Sequence, residues 1–71
     1  MKGQTYFSVV VFETGIRTIE DTFNKYNQAK KRLKKHAQHE EYAEVCTSFI
    51  APDGSVNLLS TKLTTEDLQC N

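Results

Sequence analysis

The chain has few of the residues that mark the commonest functional classes. It contains two cysteines, Cys46 and Cys70, at no zinc-binding or redox spacing. A bridge between them is open, with free thiols in a reducing cytoplasm as the default. Its first apolar run, Tyr6 to Phe12, bears Ser8 and begins too early for a secretory signal. Nothing approaches the roughly 20 apolar residues of a membrane span. There is no glycine-rich phosphate loop, and the carboxylates sit on separate segments, away from Cys46. Enzymatic chemistry therefore finds no support, and no cofactor is expected. His36, His39 and Glu40 lie close on a helix but lack a fourth ligand, so no metal is expected either. The single proline, Pro52, stands in a turn. No internal repeat, linker or low-complexity segment is present.

What remains is a small globular chain with segregated charge. Its 71 residues leave room for one domain, 1–71, with a core over about 5–63 and a tail over 64–71. A chain of this length buries only roughly 60% of its unfolded surface, so its margin of stability is thin. Nine basic and nine acidic residues give a net charge of zero. Six of the nine cations nevertheless fall between Lys25 and Lys35, a stretch without a single acid. Such a dipolar molecule is suited to meeting a charged partner in one orientation.

The segment Asn24 to His39, NKYNQAKKRLKKHAQH, has no glycine, proline or β-branched residue and reads as a helix. Asn24 is the expected N-cap. Tyr26, Ala29, Leu33 and Ala37 form one narrow apolar stripe, with His36 at its margin. The outer surface is basic: Lys25, Lys31, Arg32, Lys34 and Lys35, with Lys30 at the border.

The flanking segments read as strands. Thr5 to Glu13 is dense in β-branched and aromatic residues on both faces and suits a central position. Thr14-Gly15 turns the chain into Ile16 to Phe23, which alternates and carries the charges of an edge strand. In that alternation Arg17, Ile19, Asp21 and Phe23 oppose Ile16, Thr18, Glu20 and Thr22. Tyr42 to Ala51 is the third strand. Pro52-Asp53-Gly54 is a turn with glycine in the left-handed position, and Val56 to Leu63 is the fourth strand. One helical turn from Thr65 closes the chain.

The expected fold is thus α+β: a four-stranded antiparallel sheet, β-β-α-β-β, with one helix on one face. A right-handed crossover gives the strand order 2-1-3-4. The helix stripe should pack on Phe7, Val9, Val11, Val45 and Phe49. Tyr6, Val10 and Phe12 then make the bare face partly apolar, together with whichever of Leu58 and Leu59 points away from the helix.

The hairpin, Phe23 before a helix holding Tyr26, Ala29 and Lys30, then Tyr42-Ala43-Glu44-Val45 and the Gly54 turn, together resemble a type of small phage-encoded protein. Members of that type include some anti-CRISPR proteins and small inhibitors of host enzymes such as bacterial RNA polymerase. The likeness covers Thr5 to Leu63 by the order of elements. It implies a non-enzymatic, cytoplasmic blocker, monomer or weak dimer, that docks on a host protein or nucleoprotein complex. The neutral net charge sets the chain apart from acidic DNA mimics. Docking is expected through Lys25, Lys31, Arg32, Lys34 and Lys35, with Tyr6, Phe12 and Leu58 as secondary contacts. A nucleic-acid-binding module using the same basic helix is the alternative.

Overall fold

A computed structural model describes residues 4–69 of the chain. Cys70 lies outside the described residues, and with it the question of a bridge; Cys46 is buried and has no disulfide partner among the described residues. The elements are β1 (Tyr6–Glu13), β2 (Ile16–Phe23), α1 (Tyr26–Gln38), β3 (Ala43–Ile50), β4 (Val56–Thr64) and α2 (Thr65–Gln69). The four strands form one antiparallel sheet in the order β2-β1-β3-β4, with α1 packed on one face.

Both hairpin turns follow their local chemistry. Thr14 and Gly15 have φ of 53° and 81°, so both corners are left-handed, as the right-handed twist of a two-residue hairpin favours. In the second hairpin the Gly54 amide donates to the Ala51 carbonyl at 2.8 Å, and Gly54 takes φ 89°. Only glycine adopts that backbone without steric cost. The Asp53 carboxylate accepts from the Ser55 amide and hydroxyl, and these hydrogen bonds hold its pKa below the ordinary range.

The core is the seam between α1 and the two central strands. Leu33, Ala29, Val9, Val45 and Ala43 are fully buried there, ringed by Phe7, Val11, Phe23, Tyr26, Leu63 and Leu68. Tyr26 meets Phe7 edge to face with ring centroids 5.5 Å apart. Phe49 does not join this core and is 41% exposed. It stands one row beyond Phe7 and Thr47, where the first residue of the helix packs, so the helix does not reach it. Ala37, the last residue of the stripe, is half-buried and faces Leu68 across a shallow depression.

The C-terminal segment is more than a tail, and the core extends past Leu63. Thr64 and Asp67 cap α2 reciprocally: the Asp67 amide donates to Thr64 Oγ1, and the Asp67 carboxylate accepts from the Thr64 amide. Thr65 is buried and its hydroxyl oxygen accepts from the Ala43 amide at 3.3 Å.

Irregular pairing replaces the simple alternation expected of β2, and in β4 it settles the facing of Leu58 and Leu59, which the sequence left open. Val9 pairs with Asp21 and Val10 with Ile19, leaving Glu20 as the extra residue of a bulge. Asp21 and Phe23 thus share the helix side, while Ile19 and Arg17 pair with Val10 and Phe12 on the other. In β4, Cys46 faces Thr61 and Ser48 faces Leu58, so Thr47 stands opposite both Leu59 and Ser60. Its hydroxyl fills the gap, accepting from the Ser60 amide at 3.1 Å. Leu58 consequently lies on the uncovered face and Leu59 is 60% exposed.

The start of α1 departs from the expected cap. Lys25, with extended backbone, is the N-cap in place of Asn24, and no side chain accepts from the first-turn amides. The chain enters the helix one residue later than Asn24 would require. Lys25→Ser is therefore expected to stabilise the fold by about 1 kcal/mol, by supplying a capping oxygen. A urea midpoint equal to or below that of the parent chain would refute this.

Candidate functional site

The outer face of α1 carries the basic side chains on a rigid support. Lys31, Lys34 and Lys35 are exposed along it, and Lys25 stands exposed at its entry. Among the described residues no carboxylate lies within ion-pair distance of these four amines. Lys31 and Lys35, one turn apart, border a shallow depression of about 280 Å³ with Phe23 and Gln28. Lys34 lies on the opposite flank, beside Ala37 and Leu68.

Arg32 differs from its neighbours. It is half-buried, and its guanidinium lies 3.6 Å from Glu20 Oε1 and 3.9 Å from Asp21 Oδ2. The bulge makes this arrangement possible, because two adjacent residues of β2 serve the same cation. One turn on, His36 continues the line: its Nε2 is 2.9 Å from Glu20 Oε1 and its Nδ1 is 2.8 Å from Glu41 Oε1. Burial works against a charged ring here, but the hydrogen bonds to Glu20 and Glu41, aided by their charges, outweigh it and raise the His36 pKa. Both ring nitrogens are thus occupied by carboxylates, and no group of three metal-ligating side chains is placed to hold an ion among the described residues.

The helix end explains how Glu41 arrives there. Glu40 adopts φ 58°, its amide donates to the Ala37 carbonyl, and the Glu41 amide donates to the His36 carbonyl. This pair of bonds turns the chain back over the last turn of α1.

The acids gather where α1 ends. Glu13, Glu20 and Glu41 line a cleft of about 400 Å³ together with Val11, Phe12, His36 and Tyr42. The Tyr42 hydroxyl donates to Glu44 Oε2 at 2.6 Å. That bond, with some burial and the nearby charges of Glu44, Glu66 and Asp67, pushes the phenol up to about 12. Lys25, Lys31, Lys34 and Lys35 do not line this acidic cleft, whereas Arg32 reaches one of its acids, Glu20.

The secondary candidates fall on the uncovered sheet face but do not meet. Tyr6 and Leu58 both pair with Ser48 and are half-buried at one end. Phe12 is 36% exposed at the other end, 5.4 Å from the Tyr42 ring, with the Arg17 guanidinium 6.0 Å from its centroid. Between them lies a floor of small side chains, Ser8, Val10, Cys46 and Ser48, all inaccessible to solvent. Ser8 Oγ is 2.9 Å from both Thr22 Oγ1 and Ser48 Oγ, so the hydroxyls satisfy one another. Val10 is consequently not available as part of an apolar contact face. The exposed apolar groups of this face are rim residues, among them Ile19 and Ile50.

Sequence reading missed the Glu20–His36–Glu41 group altogether. Its only local signal is a histidine at the edge of the apolar stripe; the carboxylates lie 16 and 5 residues away. No helix among the described residues is long and apolar enough to cross a membrane. No family model, curated protein or solved structure matches the chain.

Proposed function

We propose that this protein is a small, non-enzymatic binding protein that docks on a host protein or nucleoprotein complex and inhibits or modulates it. Docking is through the outer face of α1, with Lys25, Lys31, Lys34 and Lys35 as contact residues. The observation that carries the reading is that these amines are exposed, without carboxylate partners among the described residues, on a helix anchored from beneath. Such an array favours an acidic partner surface and steers its approach. Arg32 belongs to the docking face by position, but its charge is already shared with Glu20 and Asp21. The phage-type layout described above is the further support for a host target in the cytoplasm.

The test is charge reversal of Lys25, Lys31, Lys34 and Lys35 to Glu, leaving Arg32 in place so that its ion pairs survive. The variant should melt as a folded protein, because no core residue is touched. It should fail to retain the partner that the parent chain captures from nuclease-treated bacterial lysate. Association driven by carboxylates should weaken only modestly with salt. A tight gel shift with duplex DNA, falling with a slope of roughly 0.9 per phosphate neutralised and lost in the variant, would instead make the helix a nucleic-acid contact. Retention of the partner by the variant would move the contact to Tyr6, Phe12 and Leu58.

A further inference from the structure

We propose that His36 is a pH-operated clamp that ties the edge strand β2 and the segment entering β3 to the last turn of α1. Glu20 approaches Nε2 at 2.9 Å and Glu41 approaches Nδ1 at 2.8 Å. An ionised carboxylate only accepts, and a neutral imidazole carries one N–H, so the two bonds together require the doubly protonated ring. The ring's side chain is 13% exposed, which limits the water available to replace a lost partner. Three separate segments meet at this ring: the β2 bulge through Glu20, α1 through His36, and the turn after the left-handed Glu40 through Glu41.

The charges around the ring set the direction of the switch. From β2 come Glu20 and, through Arg32, Asp21; from α1 comes Arg32, which shares Glu20 Oε1 at 3.6 Å. From the segment before β3 comes Glu41, and Glu13 of β1 lines the same cleft with the Tyr42 phenol. The carboxylates outnumber Arg32 and favour the cationic ring. Protonated, it holds both Glu20 and Glu41. Deprotonated, it holds one, while Arg32 keeps Glu20 on the helix. One of the two carboxylates is then without its donor, and the tie between β2, the end of α1 and the segment before β3 is weakened.

Histidine held in this way has its folded-state pKa above the ordinary 6.5. Its contribution to stability is therefore complete below that ordinary value and is lost as pH rises through the folded-state value. Each unit by which the folded state holds the proton more tightly changes the folding equilibrium by up to about tenfold.

Two measurements on the full chain test the clamp. In long-range proton–nitrogen NMR spectra of the parent protein, both His36 ring nitrogens should remain protonated past pH 6.5. The amide signals of Glu20 and Glu41 should titrate with the ring. A ring that becomes a single neutral tautomer at or below the ordinary value overturns the proposal without any variant. In urea unfolding between about pH 5.5 and 8.5, where histidine is the ordinary titrating side chain, the parent midpoint should fall with rising pH. His36→Gln should lack that component, because its amide does not titrate. Coincident pH profiles for the two proteins overturn the clamp.

Discussion

Leu33→Ala is expected to cost about 2–5 kcal/mol. Leu33 is the largest fully buried side chain and lies among Val9, Ala29, Ala43 and Val45. Two of these four neighbours are alanines, with no longer side chain to move into the space. The surrounding backbone belongs to the two central strands, which are held in register by pairing on both sides. The cavity therefore has little means of collapse, and its cost adds to the lost transfer energy of the leucine. For a chain of 71 residues, each kcal/mol corresponds to roughly 4–8 °C in Tm. Thermal melting followed by circular dichroism should show a fall of roughly 8–40 °C, or no cooperative transition at all. An unchanged melting curve would mean that α1 is not docked on Val9 and Val45.

Thr65→Val is expected to cost about 1–3 kcal/mol, although the two side chains have nearly the same shape. The hydroxyl of Thr65 accepts from the Ala43 amide at 3.3 Å in a buried site, and valine leaves that donor without a partner. A methyl in place of the hydroxyl adds apolar burial, but by less than the desolvation of an orphaned amide costs. The effect should appear in the urea midpoint, with slower unfolding in the parent chain than in the variant. Thr65→Ser, which retains the hydroxyl, should recover part of the stability. If valine and threonine prove equally stable, the hydroxyl is not what binds α2 to β3.

The two substitutions differ in how far they can be foreseen. Leu33 is the centre of a 3.6-residue apolar stripe, and that periodicity is a property of the segment itself. Thr65 is one residue of a polar run, and its importance arises only because β3 passes beside it. Thr64 and Asp67 do carry the local spacing of a capping box, so the start of α2 had a signal in the chain. Nothing local indicates that Leu68 returns to the core.

The candidate docking residues divide in the same way. Exposure of Lys31, Lys34 and Lys35 follows from their angular distance from Leu33 on the helix. The engagement of Arg32 does not, because it depends on a bulge that places Glu20 and Asp21 together beneath the helix flank. A regular strand would have sent those two carboxylates to opposite faces. The separation of Phe12 from Tyr6 and Leu58 likewise follows from cross-strand register.

The sequence by itself determined the order of the elements, both hairpin turns, the strand order 2-1-3-4 and the amphipathic axis of α1. Each of these rests on short-range periodicity, backbone preference or a handedness rule, which a few neighbouring residues suffice to express. Only the tertiary structure decided where the strands slip by a residue, how far the helix reaches over the sheet, and which charges meet. It brought His36 between Glu20 and Glu41, kept Phe49 outside the core and drew α2 into it. These outcomes depend on pairings between residues distant in sequence, whose geometry is set by the sheet as a whole.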